Sequence, residues 1–225
     1  MKITWLGQAG LMFEVCGKTV IVDPYLSNSV EKIEPHNYRR VAVDERFLKI
    51  KPDIIVLTHN HLDHTDPETL VHYLSENSGV LVLASENAWQ NVRKTFGGKN
   101  NYVMFNRLTE WTEGELAFRA VYAEHSDSCA IGFTLRAEGK TYYITGDTLY
   151  SEKIFADLPD NIDYVFLPVN GVGNNMNAKD AADFAYEIGA KCAVPLHYGL
   201  FDSIDPAEFD FEDALVLTPY EEKIL

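Results

Sequence analysis

Short apolar runs, bounded by glycine or polar residues, recur along the first 57 residues of the chain. Four runs have the length and the β-branched composition of strands, at residues 2–6, 11–15, 19–22 and 54–57. Gly7, Gly10 and Gly17 punctuate two hairpin-like connections among the first three. This part of the chain is therefore predicted to be a β-meander.

From residue 67 onward, segments with helical spacing alternate with apolar strands. Leu70, Tyr73 and Leu74 share one face of a predicted helix at 67–75, and Asp66 is placed to cap its first turn. Further helices are predicted at 86–96 and 178–188, and further strands at 80–84, 102–105, 115–121, 130–137, 140–145, 164–168 and 192–196. Both halves give strands flanked by helices. We therefore expect an α/β (α+β) fold, a four-layer αββα sandwich of two mixed β-sheets flanked by helices, formed as a single domain by residues 1–225.

Residues 29–46 interrupt this rhythm with a polar, irregular stretch that is predicted to be a mobile lid. His36, Arg39 and Arg40 lie within it and could reach an anionic substrate. The alternative interpretation is a solvated run of charges.

Composition narrows the class of partner. The 225 residues carry a formal net charge of -15, which disfavours nucleic acid as a routine ligand, and no apolar run approaches the roughly 20 residues that cross a bilayer. The amino terminus lacks the pattern of a signal peptide, and Cys16, Cys129 and Cys192 do not resemble a disulfide framework. We expect a cytoplasmic protein with free thiols, a small-molecule substrate and no membrane or nucleic-acid partner. Whether it forms a homo-oligomer stays open.

The densest chemical signal is the turn His59-Asn60-His61-Leu62-Asp63-His64, which follows a strand of four apolar residues. Neutral imidazoles and an ionised carboxylate are good ligands for borderline divalent cations. Alternate positions allow His59 and His61 to face one ion while Asp63 and His64 face another. His72 lies beyond this turn on the predicted helix and is interpreted as an ordinary surface histidine.

Three more candidate ligands stand where strands end: His125, Asp147 and His197. Ligands from separate strand ends converge on one edge of a sheet sandwich. Taken alone, Asp147 could equally be a turn carboxylate, and Asp23 could equally be the turn residue of its Asp-Pro step.

The order of these elements resembles the metallo-β-lactamase fold superfamily over nearly the whole chain. That order is Asp23, the His-x-His-x-Asp-His turn, His125, Gly146-Asp147-Thr148 and His197. The resemblance implies that His59, His61 and His125 hold one metal ion, that Asp63, His64 and His197 hold another, that Asp147 bridges both, and that Asp23 supports a ligating imidazole from behind. Segments 168–171, 175–181 and 195–199 are similar to the L-ascorbate-6-phosphate lactonase group and its relatives.

The predicted function is that of a metal-dependent hydrolase. It would bind two divalent ions, zinc or manganese with iron as an alternative, and activate water against a small ester, lactone or phosphoester. Asp63 is the candidate catalytic residue that takes the proton of the water, and Asn170 and Tyr198 are candidates for substrate contact. Two other hypotheses are a non-catalytic metal- or ligand-binding protein on the same fold and an iron-dependent redox enzyme.

Overall fold

A computed structural model describes all 225 residues of the chain. Three α-helices are present: α1 Pro67–Leu74, α2 Glu86–Phe96 and α3 Ala178–Glu187. The strands are β1 Lys2–Gly7, β2 Gly10–Val15, β3 Lys18–Val22, β4 Ile54–Leu57, β5 Leu81–Ala84, β6 Asn101–Met104, β7 Glu110–Glu113, β8 Leu116–Tyr122, β9 Ile131–Ala137, β10 Lys140–Ile144, β11 Tyr164–Pro168, β12 Cys192–Leu196 and β13 Glu222–Ile224. Each predicted helix and strand is thus present, with ends that differ by no more than one residue.

The strands form two mixed sheets. The first has seven strands in the order β13-β1-β2-β3-β4-β5-β6, antiparallel as far as β3 and parallel from β3 to β6. The second has six in the order β12-β11-β10-β9-β8-β7, parallel among β12, β11 and β10 and antiparallel beyond. Each sheet therefore has a parallel part whose strands end at a common edge.

The two sheets pack face to face through apolar side chains, and the helices cover their outer faces. Phe13 of β2 meets Phe166 of β11 edge to face, with ring centroids 5.7 Å apart. Tyr73 of α1 and Val92 of α2 belong to a second apolar cluster on the outer face of the seven-stranded sheet. Phe184 of α3 lies 6.4 Å from the ring of Tyr143 on the other sheet. The predicted αββα sandwich is confirmed.

Helix α1 begins as its sequence predicts. The Asp66 carboxylate accepts hydrogen bonds from the backbone N–H groups of Glu68 and Thr69, and Pro67 occupies the first turn. Both features satisfy or remove backbone donors that a helix leaves free at its amino end. This cap places the start of α1 directly after the histidine-rich turn.

Two strands lie outside the predicted set, β7 and β13, and both are edge strands. Every residue of β13 is exposed, and β7 alternates exposed with half-buried positions. Exposed edge strands gain little from side-chain burial, so their sequences lack the apolar run that marks a strand.

Residues 29–46 form turns without helix or strand. No helix of the structure has the length and apolarity needed to cross a membrane.

Asp157, in the connection between β10 and β11, supplies a test of pH-dependent stability. Burial opposes its ionisation, but hydrogen bonds from Arg107 and from the backbone N–H of Tyr122 outweigh burial and hold the pKa of Asp157 below its usual value. Its stabilising contribution is therefore complete above the unfolded-state pKa of about 4 and disappears as pH falls through the lower folded-state pKa. We expect Asp157→Asn to lower the free energy of unfolding at pH 7 by about 1–2 kcal/mol. The loss is no larger because Arg107 is half exposed, so solvent screens the ion pair.

Urea denaturation at pH 7 and pH 3 measures this effect. The difference between the wild type and the variant should shrink at pH 3, because that pH lies below the unfolded-state pKa of about 4 and folding no longer keeps the full advantage of the ionised carboxylate. Asp160→Asn, at an exposed position three residues away, is the control and should change stability little. A pH-independent loss for Asp157→Asn would contradict the ion-pair account.

Candidate metal centre

The predicted ligands meet at one edge of the sandwich, where strands of both sheets end. Asp23 follows β3 and His59 follows β4 in the first sheet. Asp147 and His197 follow β10 and β12 in the second, and His125 follows β8 of the same sheet. Parallel neighbours end at the same edge, as the register of Val22 with Val56 and of Pro168 with Leu196 requires. Two separate sheets thus supply opposite walls of one site.

Close packing at this edge requires glycine before Asp147. Gly146 has a φ of +60°, and a Cβ atom there would lie 2.9 Å from both the Ile131 carbonyl oxygen and the Thr58 Cβ. We expect Gly146→Ala to destabilise the fold by about 2–5 kcal/mol, since the left-handed backbone and the collision both add cost. Chemical denaturation measures the loss.

Gly139→Ala is the matched control for that substitution. Gly139 has a φ of +74°, but no atom would lie within 4 Å of a Cβ atom added there. This variant carries only the backbone cost, about 1–2 kcal/mol. Equal losses at the two glycines would show that the approach of Thr58 to Gly146 is not tight.

Three residues of the site that are not glycine adopt the left-handed backbone region: Gln8, Asp23 and His197, with φ values of 51°, 41° and 61°. Such conformations are uncommon for residues with a side chain, and they concentrate at functional sites. The Gln8 carbonyl accepts hydrogen bonds from the backbone N–H of His197 and from the Trp5 indole. These bonds tie the turn after β1 to the end of β12 and hold both residues in place.

His59, His61 and His125 form the first group of ligands. Their ring centroids lie 4.5–4.7 Å from one another, and one nitrogen of each ring lies within 4.8 Å of the others. His59 is fully buried, whereas His61 is exposed at the opening of the site. Three imidazoles at this spacing can hold one divalent ion.

Asp63, His64 and His197 form the second group. The Nε2 atoms of His64 and His197 are 3.3 Å apart, and the Asp63 carboxylate lies 3.4 Å from His197 Nε2. Asp147 reaches both histidines, since each of its oxygens is 3.2 Å from one of the two Nε2 atoms. The structure therefore places Asp147 beside the second group, where the resemblance put a bridging carboxylate.

Asp23 lies behind His64, on the side away from this cluster. One Asp23 oxygen accepts the Nδ1–H of His64 at 2.9 Å, and the carboxylate also accepts from the backbone N–H and the hydroxyl of Thr58. A proton on Nδ1 leaves the Nε2 lone pair of His64 free to bind a cation. Asp23 therefore contacts a candidate ligand on the side away from the cluster, as the resemblance implies for a supporting carboxylate.

The pKa values of the histidines differ between the two ligand groups. Burial and the neighbouring His64 hold the pKa of His59 well below its ordinary value, and burial lowers the pKa of His125 to about 4. Burial also opposes the charging of His197, but Asp147 and Asp63 outweigh it and raise its pKa to about 9. Burial thus favours the neutral imidazoles of His59 and His125 in the first group, while carboxylates draw positive charge into the second.

The donors present fit divalent metal ions. His59 Nε2 is buried without any hydrogen-bond partner, and Asp147 Oδ1 is buried without an aligned donor. An unpaired buried polar atom is costly, and both atoms belong to the converging set. Five imidazoles and two carboxylates are a suitable donor set for zinc, manganese or iron.

Three residues outside the predicted set also hold this site together. The Gln8 side-chain amide donates to Asp63, and the Asn175 amide donates to Asp147 at 3.1 Å. Asp127 accepts from the backbone N–H of Asn60, which joins the histidine-rich turn to the loop that carries His125. The left-handed turn at Gln8 could have been suspected from its Gly7-Gln8-Ala9-Gly10 context, but amide contacts across 55 and 28 residues leave no sequence signal.

The two predicted substrate contacts have different surroundings. Asn170 lines the cavity beside the ligands, and its amide approaches His197 Nδ1 to 3.0 Å. Tyr198 is buried, with its ring 5.0 Å from that of Trp5, and it does not line that cavity. The position of Tyr198 argues against the predicted substrate contact, because its side chain belongs to the apolar core.

The basic residues of the predicted lid also lie outside the cavity. Arg39 donates to the carbonyl oxygens of Tyr25 and Val41 and to the Tyr220 hydroxyl, and Arg40 stacks on Tyr38. His36 does not line the cavity either. The positions of His36, Arg39 and Arg40 therefore do not support the prediction that they contact an anionic substrate.

Comparison with known proteins agrees with the geometry. The family model described as "Beta-lactamase superfamily domain" matches residues 2–197. The chain belongs to the beta-lactamase superfamily. Within it, the chain is 31% identical to a UPF0173 metal-dependent hydrolase of Geobacillus thermodenitrificans, over 93% of this chain and 91% of that relative. Membership in this group of metal-dependent hydrolases follows, whereas the closer similarity to the lactonases stays a prediction.

Two solved structures share the fold of this chain. Igni18, a metallo hydrolase from Ignicoccus hospitalis, superposes with a TM-score of 0.77 at 20% identity and covers 99% of this chain and 97% of its own. CmlA, a diiron β-hydroxylase from Streptomyces venezuelae, has a TM-score of 0.73 at 18% identity, with 100% of this chain and 53% of its own covered. At these identities the likeness concerns the fold alone.

Proposed function

We propose that this superfamily member is a hydrolase that uses two divalent metal ions, zinc or manganese, against a small ester, lactone or phosphoester. One observation carries the proposal. The Asp147 carboxylate lies 3.2 Å from two histidine nitrogens of the second ligand group, and the unpaired Nε2 of buried His59 belongs to the first. Two adjacent groups of converging ligand atoms, each with an unpaired buried atom in or beside it, suit two ions better than one.

In this proposal, His59, His61 and His125 would hold the first ion, Asp63, His64 and His197 would hold the second, and Asp147 would serve both. Asp23 keeps the proton of His64 on Nδ1, so that Nε2 faces the second ion. Gln8 and Asn175 orient the two ligand carboxylates through their amide N–H groups.

Bound divalent ions supply Lewis acidity, which makes water a nucleophile near neutral pH and polarises the oxygen of the substrate that is attacked. The water oxygen forms a bond to the acyl carbon or phosphorus, the bond to the leaving oxygen breaks, and that oxygen departs with one proton. Burial opposes ionisation of Asp63, but His64 and His197 hold its pKa below the ordinary value. Asp63 is therefore a weak base, and its proposed role is to accept a hydrogen bond from the water and direct the attack.

The test combines metal analysis with a substrate panel. Protein purified without chelators should contain close to two equivalents of transition metal and hydrolyse members of a panel of simple esters, lactones and phosphodiesters. Chelation should abolish turnover, and added zinc or manganese should restore it. His72→Ala is the control, since His72 lies on α1 beside Glu76 and should leave metal content and rate unchanged. Metal without turnover on any member would support a binding protein instead.

A further inference from the structure

We propose that the substrate of this site is an uncharged carboxylic ester or lactone with an apolar substituent, rather than a phosphoester or another anion. The inference rests on the proposed hydrolase function and deepens it. It is drawn from the walls of the cavity, of about 600 Å³, that opens beside the ligands.

The cavity wall contains no lysine or arginine. Glu34 and Asp202 stand on it instead, in a chain that already carries a net charge of -15. Sites that bind phosphoryl groups usually offer arginine or lysine to the anionic oxygens. Here the metal ions would be the sole cations facing a substrate, and two ligand carboxylates already offset much of their charge.

Amide side chains supply the polar part of the wall. Asn60 and Asn174 use their carbonyl oxygens to accept hydrogen bonds from Asn91 and from the backbone N–H of Ser126. Their NH₂ groups make no hydrogen bond within the protein, so both remain available as donors. A neutral amide donor suits the carbonyl oxygen of an ester or a lactone and carries no charge that would select an anion.

An apolar surface completes the wall. Val30 and Leu62 belong to a small apolar cluster at one side of the cavity. Ile33 and Val172 also line it, yet their side chains are 72% and 62% exposed. Exposed aliphatic side chains around a cavity that holds catalytic ligands mark a surface that an apolar group can cover.

Hydrolysis of an uncharged ester also suits release of the product. Water adds to the acyl carbon, the alcohol leaves with one proton, and the acid ionises by losing the other to solvent. The product is then a carboxylate in a cavity bordered by Glu34 and Asp202. Like charges repel, which favours its departure.

A matched pair of substrates tests the charge preference. p-Nitrophenyl hexanoate and mono-p-nitrophenyl adipate have the same leaving group and acyl length, but the acyl chain ends in a methyl group or in a carboxylate. We expect kcat/KM of the metal-loaded protein to be at least about tenfold higher for the hexanoate at low salt, with the gap narrowing at high salt. Lengthening the acyl chain from acetate should raise kcat/KM by about fourfold per methylene that becomes buried.

Variants of the apolar wall test where that preference arises. Val172→Ser and Ile33→Ser should each reduce kcat/KM for the hexanoate about fivefold and leave the acetate nearly unchanged. Val216→Ser is the matched control, because Val216 is 51% exposed and lies outside the cavity.

The outcomes distinguish a failure of this substrate assignment from a failure of the proposed hydrolase function. A metal-dependent rate that is equal or higher for the adipate, or turnover of bis(p-nitrophenyl) phosphate with none of the esters, would overturn the substrate class and leave the hydrolase standing. Metal-loaded protein that turns over no ester, lactone or phosphodiester would overturn both.

Discussion

Asp147→Ala should weaken the binding of both metal ions together and lower the rate of hydrolysis by at least about a hundredfold. The reason is its central position. The Asp147 carboxylate lies 3.2 Å from His64 Nε2 and from His197 Nε2 in the second group, and its charge also acts on His59 and His125 of the first. Its removal therefore takes a negative charge and two ligand oxygens from beside both groups. Metal content after dialysis and kcat/KM for any ester of the panel measure the effect.

His72→Ala provides the control for Asp147→Ala, and circular dichroism checks that both variants fold. The loss of one equivalent of metal, with the other retained at wild-type affinity, would contradict a shared carboxylate. Equal effects of the two substitutions would count against the whole ligand assignment.

Asp23→Asn should weaken only the second ion, by about 10–100-fold, and reduce turnover accordingly. Asp23 accepts from Thr58 N–H and from His64 Nδ1–H at once. An asparagine that keeps its oxygen toward Thr58 must present its NH₂ group to His64. That contact favours the proton on His64 Nε2, which then has no lone pair for a cation.

Metal titration of the Asp23→Asn protein should therefore show one tight and one weakened site. Asp53→Asn, at an exposed carboxylate before β4, is a control that should keep both sites tight. If both ions were lost equally, the role assigned to the His64 tautomer would be wrong.

Much of this site could be predicted from the sequence because its ligands follow local rules. His59, His61, Asp63 and His64 are crowded into one turn after an apolar strand, and Asp147 follows another such strand at a Gly-Asp step. Strand ends are recognisable from hydrophobic pattern, and parallel strands bring their ends to one edge. Strand ends therefore brought the seven candidates together, while their division between two ions came from the resemblance to the superfamily.

Residues that orient these ligands escape prediction because their contacts are nonlocal. Gln8 reaches Asp63 only because β1 and β4 belong to one sheet, and Asn175 reaches Asp147 from the loop after β11. Either amide looks like a turn residue in the sequence. The edge strands β7 and β13 escape prediction for a related reason, since backbone pairing alone specifies them.

The direction of individual side chains also could not be predicted from the sequence. Tyr198 follows a ligand directly, which suggests contact with substrate, yet its ring packs against Trp5. Arg39, predicted in a lid, holds that segment to Tyr25 and Tyr220. Both positions depend on packing between distant parts of the chain. Because Arg39 is held away from the cavity, no lysine or arginine lines the cavity wall, and this points to an uncharged substrate.

Anomalous X-ray diffraction at the absorption edge of the bound metal tests the central claim most directly. We predict two peaks about 3.5–4 Å apart, one within about 2.0–2.2 Å of nitrogens of His59, His61 and His125, the other bound by Asp63, His64 and His197, and Asp147 in contact with both. A single peak, or two peaks that do not involve these ligands, in crystals of protein that hydrolyses its ester would contradict a dinuclear centre.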